Sequence, residues 1–456
     1  MAALDPDAAA AGSTAAASDR PSLYAWYVVS VLMLANVSSF IDRQILSLLV
    51  VPIQRDLAIS DTQMSLLLGL AFAVFYSILG FPIGRLADVR SRRAIIGWGI
   101  ATWSVMCTLC GVARTYGELF LARVGVGVGE ASLSPPAYSL IADYFPARRL
   151  ASAMSLYSMG IFIGSGLAYL IGGTVIELVS NLEPWRWPLV GEIRPWQRVF
   201  IVVGLPGALI ALLMLTVREP PRTQSVGMGG RGFPLDVVVD WFRRHRAAYA
   251  AHGFGFAVFS LVNYGTAFWF PAYFERALGW SPAKIGLYMG GATIVFGTLG
   301  VVAGGRMADW WRRRNVSDAN LRVGIVAGLL SIAAALPLYL SRDEPVVLVA
   351  LVITNLAASF PWGAAAAAVQ EMTPGPMRGQ ASALFLFLIN VVGLAAGPTA
   401  VALLTDRVFG DPVQVGLSLL AVTILGRLAA TALFASGLAA YRRTIAAAPV
   451  WRPAAR

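Results

Sequence analysis

The feature that most constrains this chain is a series of continuous apolar stretches, each about as long as a bilayer is thick. A membrane-crossing helix needs about 20 mostly apolar residues. Such runs lie near 24–51, 62–84, 94–113, 116–144, 150–178 and 197–217, and again near 247–275, 282–306, 320–341, 345–370, 380–405 and 413–441. They predict an all-α polytopic membrane protein with twelve transmembrane helices. A β-barrel is excluded, because barrel strands alternate apolar and polar residues over about 10 positions and these runs do not alternate. Composition agrees: 13% of the 456 residues are charged and the mean hydropathy is +0.69. A soluble chain averages about 25% charge, so this one has too little to cover its surface with.

The polar stretch Arg218–Arg246, with glycines, prolines and six arginines, divides the runs into two sets of six. The expected organisation is a disordered tail over 1–22, a six-helix half over 23–217, a cytoplasmic linker over 218–246, a second six-helix half over 247–442 and a tail over 443–456. No basic start or apolar segment marks residues 1–22 as a secretory signal. The net charge is +11, and Lys284 is the only lysine among 35 basic residues. Most arginines fall in loops on the side shared by both termini, which the positive-inside rule assigns to the cytoplasm. The arginine bias and short loops fit a bacterial inner membrane. A nucleic-acid partner would need a soluble basic face, and the pattern leaves none.

Two motifs recur. Gly84-Arg85-Leu86-Ala87-Asp88, followed by Arg90, Arg92 and Arg93, returns as Gly305-Arg306-Met307-Ala308-Asp309, followed by Arg312, Arg313 and Arg314, 221 residues later. Arg148 with Ala151-Ser152-Ala153 returns as Arg378 with Ala381-Ser382-Ala383, 230 residues later. Both offsets are about half the chain, so the halves are parallel repeats, and substrate sites in such folds lie between them.

The Gly-x-Leu-Ala-Asp-x-x-x-Arg-Arg loop and its second copy resemble the loop 2–3 signature of the major facilitator superfamily. A finer resemblance is to its spinster branch of lysolipid and sphingosine-1-phosphate transporters. It rests on Asp42-Arg43, on the segment Arg123-Val124-Gly125-Val126-Gly127-Val128-Gly129-Glu130-Ala131-Ser132, on Leu140-Ile141-Ala142-Asp143, on Gly164-Ser165-Gly166-Leu167 and on Val217-Arg218-Glu219-Pro220-Pro221-Arg222. It implies a transporter working as a monomer by alternating access, with functional weight on Asp42, Arg43 and Glu130. By analogy, Gly84, Asp88, Arg90, Arg92 and Arg93 would gate the cytoplasmic side, one arginine meeting Asp143, with Asp309 in a mirrored role.

Four charges lie well inside apolar runs: Asp42, Arg43, Arg123 and Glu130. Each costs about 2.5–3.5 kcal/mol at mid-bilayer and normally faces a cavity or a partner. Arg123 and Glu130, two helical turns apart, share a face. Asp42 and Arg43 reach a similar depth on an antiparallel helix. We expect Glu130, with Asp42 second, to be the proton-linked acid. Arg43 and Arg123 are expected to bind an anionic headgroup, because guanidinium presents two parallel donors to phosphate. Tyr264, Thr266, Phe268, Trp269, Tyr273 and Trp362 are the expected apolar and aromatic lining.

The remaining motifs read as packing. Gly125, Gly127 and Gly129 sit mid-helix with no preceding strand, which fits close helix approach rather than phosphate binding. Pro135 and Pro136 should kink the fourth helix just beyond Glu130. Cys107 and Cys110 are expected as small packing residues. His245 and His252 have no partners spaced for a metal, and no cofactor is expected. An enzyme is not expected either: two histidines near one helix end make no hydrolytic constellation, and no nucleotide-binding Gly-x-x-x-x-Gly-Lys-Ser/Thr occurs. The cargo expected is an anionic lysolipid moved with protons, with a small organic anion or drug-like compound as the alternative.

Overall fold

The computed structural model describes residues 22–145, 147–180, 185–187, 191–220, 235–374 and 377–448. Hydroxyl side chains open many of the helices. Ser22, Ser91 and Ser281 accept from the N–H groups of Ala25, Ala94 and Lys284, while Ser60 with Gln63 and Thr115 with Glu118 form reciprocal capping boxes. Such caps satisfy the first N–H groups, which are costly to leave bare near lipid.

In the first half, span one is Leu23–Leu48, continued by Val50–Leu57, and span two covers 61–89. Span three is Arg92–Cys110, span four is Tyr116–Glu130 plus Ser134–Tyr144, span five is Ala147–Ser180 and span six is Pro195–Leu213. In the second half, span seven is Arg246–Leu278, span eight covers 282–313, span nine is Ala319–Leu340, and span ten is Glu344–Ser359 plus Trp362–Met372. Span eleven covers 378–409 and span twelve is Val415–Ala447.

Among the described residues, ten helices are long and apolar enough to cross a membrane. The two rods that fall short occupy their expected places, and each has a local reason. Span four is interrupted at 131–133, where the first piece ends at Glu130 and the next begins with Ser134, Pro135 and Pro136. Proline has no N–H to continue the helical ladder, so the chain restarts there. Span seven is continuous, but His252, Asn263, Tyr264 and Thr266 dilute its apolar character. One addition to the all-helical pattern is a short antiparallel hairpin between spans five and six, Trp185–Trp187 against Gly191–Ile193.

Within the first half, span five packs on span one and span six on span three. Within the second half, span twelve packs on spans seven and nine. Between the halves, span five lies against span eight. Backbones meet there: a Cβ at Gly173 would sit 2.3 Å from the Pro282 carbonyl oxygen, and one at Gly286 would sit 2.3 Å from that of Tyr169. Only a residue without a side chain permits that approach.

Between the halves, a helix at Leu235–Arg244 packs Val238 and Trp241 against Met377 and Ala448. Part of the expected linker is therefore a strap on the second half. Span twelve runs five residues beyond the expected boundary at 442, to Ala447. Residues 1–21, 221–234 and 449–456, in the expected tails and linker, lie outside the described residues.

Candidate functional site

Spans one and four bring the four interior charges together. Arg43 donates through Nε to Glu130 Oε2 at 2.6 Å, and Ser39, one turn earlier on span one, donates to the same oxygen at 2.5 Å. Glu130 is fully buried, whereas the Arg43 side chain keeps 13% exposure. Its other carboxylate oxygen, Oε1, is buried without a hydrogen-bond partner. The Arg43 guanidinium lies 4.9, 4.4 and 4.7 Å from the ring centres of Phe40, Phe72 and Tyr76. Those aromatic faces stabilise a cation that water reaches only in part.

The second pair is not closed. Arg123 donates to the main-chain carbonyl of Asp42 at 3.3 Å rather than to its carboxylate, and its Nε is buried without a partner. The Asp42 carboxyl is buried against span three, where Cys107 Sγ lies 3.6 Å from Oδ1 and 3.8 Å from the Phe200 carbonyl oxygen of span six. Cys107 is thus more than the packing residue expected, since it is the side-chain donor to Asp42. Cys110 is buried nearby as a second free thiol. Glycine makes this closeness possible: a Cβ at Gly127 would lie 2.7 Å from the Phe72 carbonyl oxygen, and one at Gly129 would lie 2.7 Å from the Trp103 nitrogen.

The expected lining residues divide. Tyr264 stacks on Phe268 with centroids 6.1 Å apart and carries an electrostatic interaction with Arg43 across the halves. Thr266 donates to Val262 and Asn263 carbonyls of its own helix. Trp269 donates to the Pro398 carbonyl of span eleven at 2.9 Å, and Tyr273 to the Leu338 carbonyl of span nine at 2.8 Å. Trp362 packs against the core of the second half. In this conformation Tyr264 lies toward the charges, while Thr266, Trp269 and Tyr273 use their polar groups inside the second half. His252 is buried with Nε2 3.0 Å from the Ala365 carbonyl oxygen, and His245 Nδ1 lies 3.1 Å from the Thr444 hydroxyl.

At the basic end, Arg92 reaches Asp143 and also Ser139 Oγ at 3.0 Å. Its Nε donates to Glu219 Oε1 at 2.7 Å. Glu219, which the sequence reading named within the Val217–Arg222 motif but gave no role, also accepts from Ser91 at 2.9 Å and from the Arg93 N–H at 3.0 Å. Burial alone would raise its carboxyl, but these donors hold it below the usual carboxylate range. Arg90 is exposed and makes contacts of its own. Gly84 lies against Pro135, while the side chain of Asp88 lies outside the described residues. In the second copy Asp309 is exposed, and Arg312 pairs instead with Glu371, which also accepts from Asn320 and Tyr441.

The opposite end holds a network that sequence reasoning missed. Arg276 of span seven makes a two-point contact with Asp61 of span two, at 2.9 and 2.8 Å, and also bonds Gln54. Asp406 of span eleven accepts from the Thr62 N–H at 2.7 Å and hydroxyl at 2.6 Å. These bonds join the two halves. A charge near a helix end reads in sequence as an interfacial anchor, so nothing marked Asp61 or Arg276.

Two parallel six-helix halves around a central cluster of charges define a membrane carrier. The model of the Major Facilitator Superfamily matches residues 32–398, and the chain belongs to that family of transporters. Within the superfamily it is spinster-like. Protein spinster homolog 1 of Homo sapiens is 30% identical over 404 residues, covering 83% of this chain and 73% of that one. The crystal structure of a bacterial homolog to the human lysosomal transporter Spinster, inward-facing and unoccupied, superposes with a TM-score of 0.73 at 27% identity, covering 95% of this chain and 100% of the other. An MFS-type efflux pump of Mycolicibacterium smegmatis is 27% identical over 428 residues, 92% of this chain and 94% of that one.

Proposed function

We propose that the protein is a proton-coupled secondary transporter that moves an anionic amphipathic lysolipid, of the sphingosine-1-phosphate or lysophospholipid class, by alternating access. The observation that carries this reading is the Arg43–Glu130 pair. It is a partly exposed arginine ringed by aromatic faces, held by an acid with one unsatisfied oxygen. A phosphate headgroup can take over the Arg43 fork, while the acyl chain lies along apolar walls between the halves.

Of the two acids, Asp42 is the better proton carrier. An ionised carboxylate deep in a protein needs a cation or several strong donors. Glu130 has Arg43 and Ser39, whereas the Asp42 carboxyl has one thiol donor. We therefore reverse the order expected from sequence and place the exchangeable proton on Asp42, with Glu130 as the counter-ion that releases Arg43 to cargo. Arg123 would follow the Asp42 backbone as span one moves.

The basic end is placed in the cytoplasm, with both termini, on the charge asymmetry of the loops. The halves are then tied at the outer end by Arg276, Asp61, Asp406 and Thr62, which supports reading this form as closed on that side. We read the carrier as working as a monomer, as membership of the major facilitator superfamily suggests. A bacterial inner membrane fits the arginine-rich loops.

The test is uptake of labelled sphingosine-1-phosphate into proteoliposomes with and without an imposed pH gradient. Gradient-driven uptake that Asp42→Asn abolishes supports cargo and coupling together. Uptake that ignores the gradient removes the coupling. No uptake by folded protein favours the second reading, a small organic anion or drug-like cargo, which the likeness to the mycobacterial efflux pump supports.

A further inference from the structure

Pro271 lies inside span seven. Its ring nitrogen carries no hydrogen, so the carbonyl four residues earlier, that of Ala267, loses its helical donor. In a bilayer interior such an acceptor has to be satisfied from elsewhere. Here the donors come from the other half: Tyr169 Oη of span five at 3.0 Å and Gln44 Nε2 of span one at 3.4 Å. Gln44 also donates to the Tyr169 hydroxyl and to Ser47 Oγ at 3.1 Å. Tyr169 and Gln44 are buried, so little water competes.

We propose that Gln44, Tyr169 and the proline-freed Ala267 carbonyl form a latch between the halves. In it, Gln44 and Tyr169 act as positioning residues for transport. Gln44 directly follows Arg43, and successive residues on a helix point about 100° apart. One face of this turn therefore grips Glu130 in its own half while the next grips the opposite half. A turn of span one that frees Arg43 withdraws Gln44 from the carbonyl. The acceptor suits this role because no helical bond competes for it, and water can satisfy it once the halves part. Tyr169 is held in register by its own backbone, which meets span eight at Gly286. The latch rests on the alternating-access part of the reading above and on no assumption about cargo or protons.

The test is the distance between spin labels replacing Arg55 and Val408, exposed positions in opposite halves at the latched end, in the full chain in nanodiscs at one pH without cargo. The native thiols are buried. Tyr169→Phe should raise the ratio of separated to closed forms about fivefold, the size of one net hydrogen bond. Pro271→Ala returns an N–H to the helix and occupies the carbonyl, so it should shift the ratio in the same direction. Adding Tyr169→Phe to Pro271→Ala should then change the ratio by less than about twofold, because the same bond is already lost. An unchanged distribution in Tyr169→Phe, or two substitutions whose effects simply multiply, overturns the latch. A wild-type distance fixed under every cargo and pH condition would instead remove the alternating-access reading, and the latch with it. Should Pro271→Ala fail to fold, Tyr169→Phe alone decides, since it deletes a single hydroxyl.

Discussion

Asp42→Asn and Glu130→Gln each neutralise one acid in the same cluster, and the geometry predicts opposite signatures. Among the described residues, Glu130 is the acid that pairs with Arg43, at 2.6 Å, with the carboxylate fully buried. Breaking a buried pair by removing one partner costs about 3–5 kcal/mol. Arg43 keeps its three ring faces, each worth about 0.5–1 kcal/mol, and a slight exposure to the cavity, so a smaller loss of about 2–3 kcal/mol is expected. At 1.4 kcal/mol per factor of ten, that is roughly a thirty- to hundredfold change in the folding equilibrium. The Asp42 carboxyl accepts from a thiol at 3.6 Å and, among the described residues, forms no ion pair, because Arg123 bonds the main-chain carbonyl instead. If its carboxyl carries a proton in this conformation, asparagine copies its shape and neutrality, and the loss should stay below about 1 kcal/mol. Thermal melting of the purified variants gives the stability order. Uptake under a pH gradient, set against cargo exchange without one, gives the function. Asp42→Asn should melt near wild type and exchange cargo without responding to the gradient. An Asp42→Asn protein destabilised as much as Glu130→Gln would mean that Asp42 is ionised here, and the proton assignment would fail.

Cys107→Val removes the donor to Asp42 and should shift the midpoint of the uptake-versus-pH curve, while Cys107→Ser should restore it; matching midpoints in all three proteins would deny Cys107 a part in tuning the acid. Asp61→Asn cuts the two-point contact with Arg276 and should raise the separated fraction at that end by about tenfold or more, read as a longer distance between the labels replacing Arg55 and Val408. Glu219 is depressed in the folded chain, so its contribution is present above the unfolded value near pH 4.3 and is lost as pH falls through the lower folded value. Amide protection at residues 91–93, taken relative to the unfolded exchange rate at each pH, should therefore fall at the acid end of a series from about pH 6 to pH 3, and Glu219→Gln should flatten that change.

The spans were legible because a bilayer leaves a chain few choices, and the halves because a repeated loop has a measurable offset. The interior charges were legible for the same reason: their cost in lipid makes each one conspicuous. The seven-residue spacing of Arg123 and Glu130 placed both beside span one, but spacing could not tell which partner each would take. Arg43 took Glu130, and Arg123 turned to a backbone oxygen. Cys107 packs in the core as expected, but its added role as donor to Asp42 was not legible, because it depends on what span one brings to it. Asp61 and Arg276 are 215 residues apart and meet only once the halves close at that end. The aromatic residues of span seven share one helix, yet Tyr264 lies toward Arg43 while Trp269 and Tyr273 turn to spans eleven and nine. That division depends on neighbours that periodicity does not name.

The repeat also exposes an asymmetry. The 221-residue offset that relates the two loops carries Asp42-Arg43 onto Asn263-Tyr264. Asn263 donates to the Ala358 carbonyl at 3.0 Å and accepts from Arg427 of span twelve. Arg427 also donates to the Phe259 carbonyl at 3.0 Å, with its guanidinium 3.6 Å from the Phe259 ring centre. An aspartate at 263 would face that arginine and stay ionised; the amide keeps the hydrogen bond without a titrating group. On the reading proposed above, proton exchange is then confined to the first half. The corresponding seam of the second half is held by bonds that neither gain nor lose a proton at Asn263. Span one has an acid that can change charge and a neighbour, Gln44, that reaches across. Span seven offers a fixed carbonyl for it to hold. A carrier built this way needs one mobile charge relay and one stationary surface, which is why a duplicated fold can keep its helices in register while letting the chemistry of its two halves diverge.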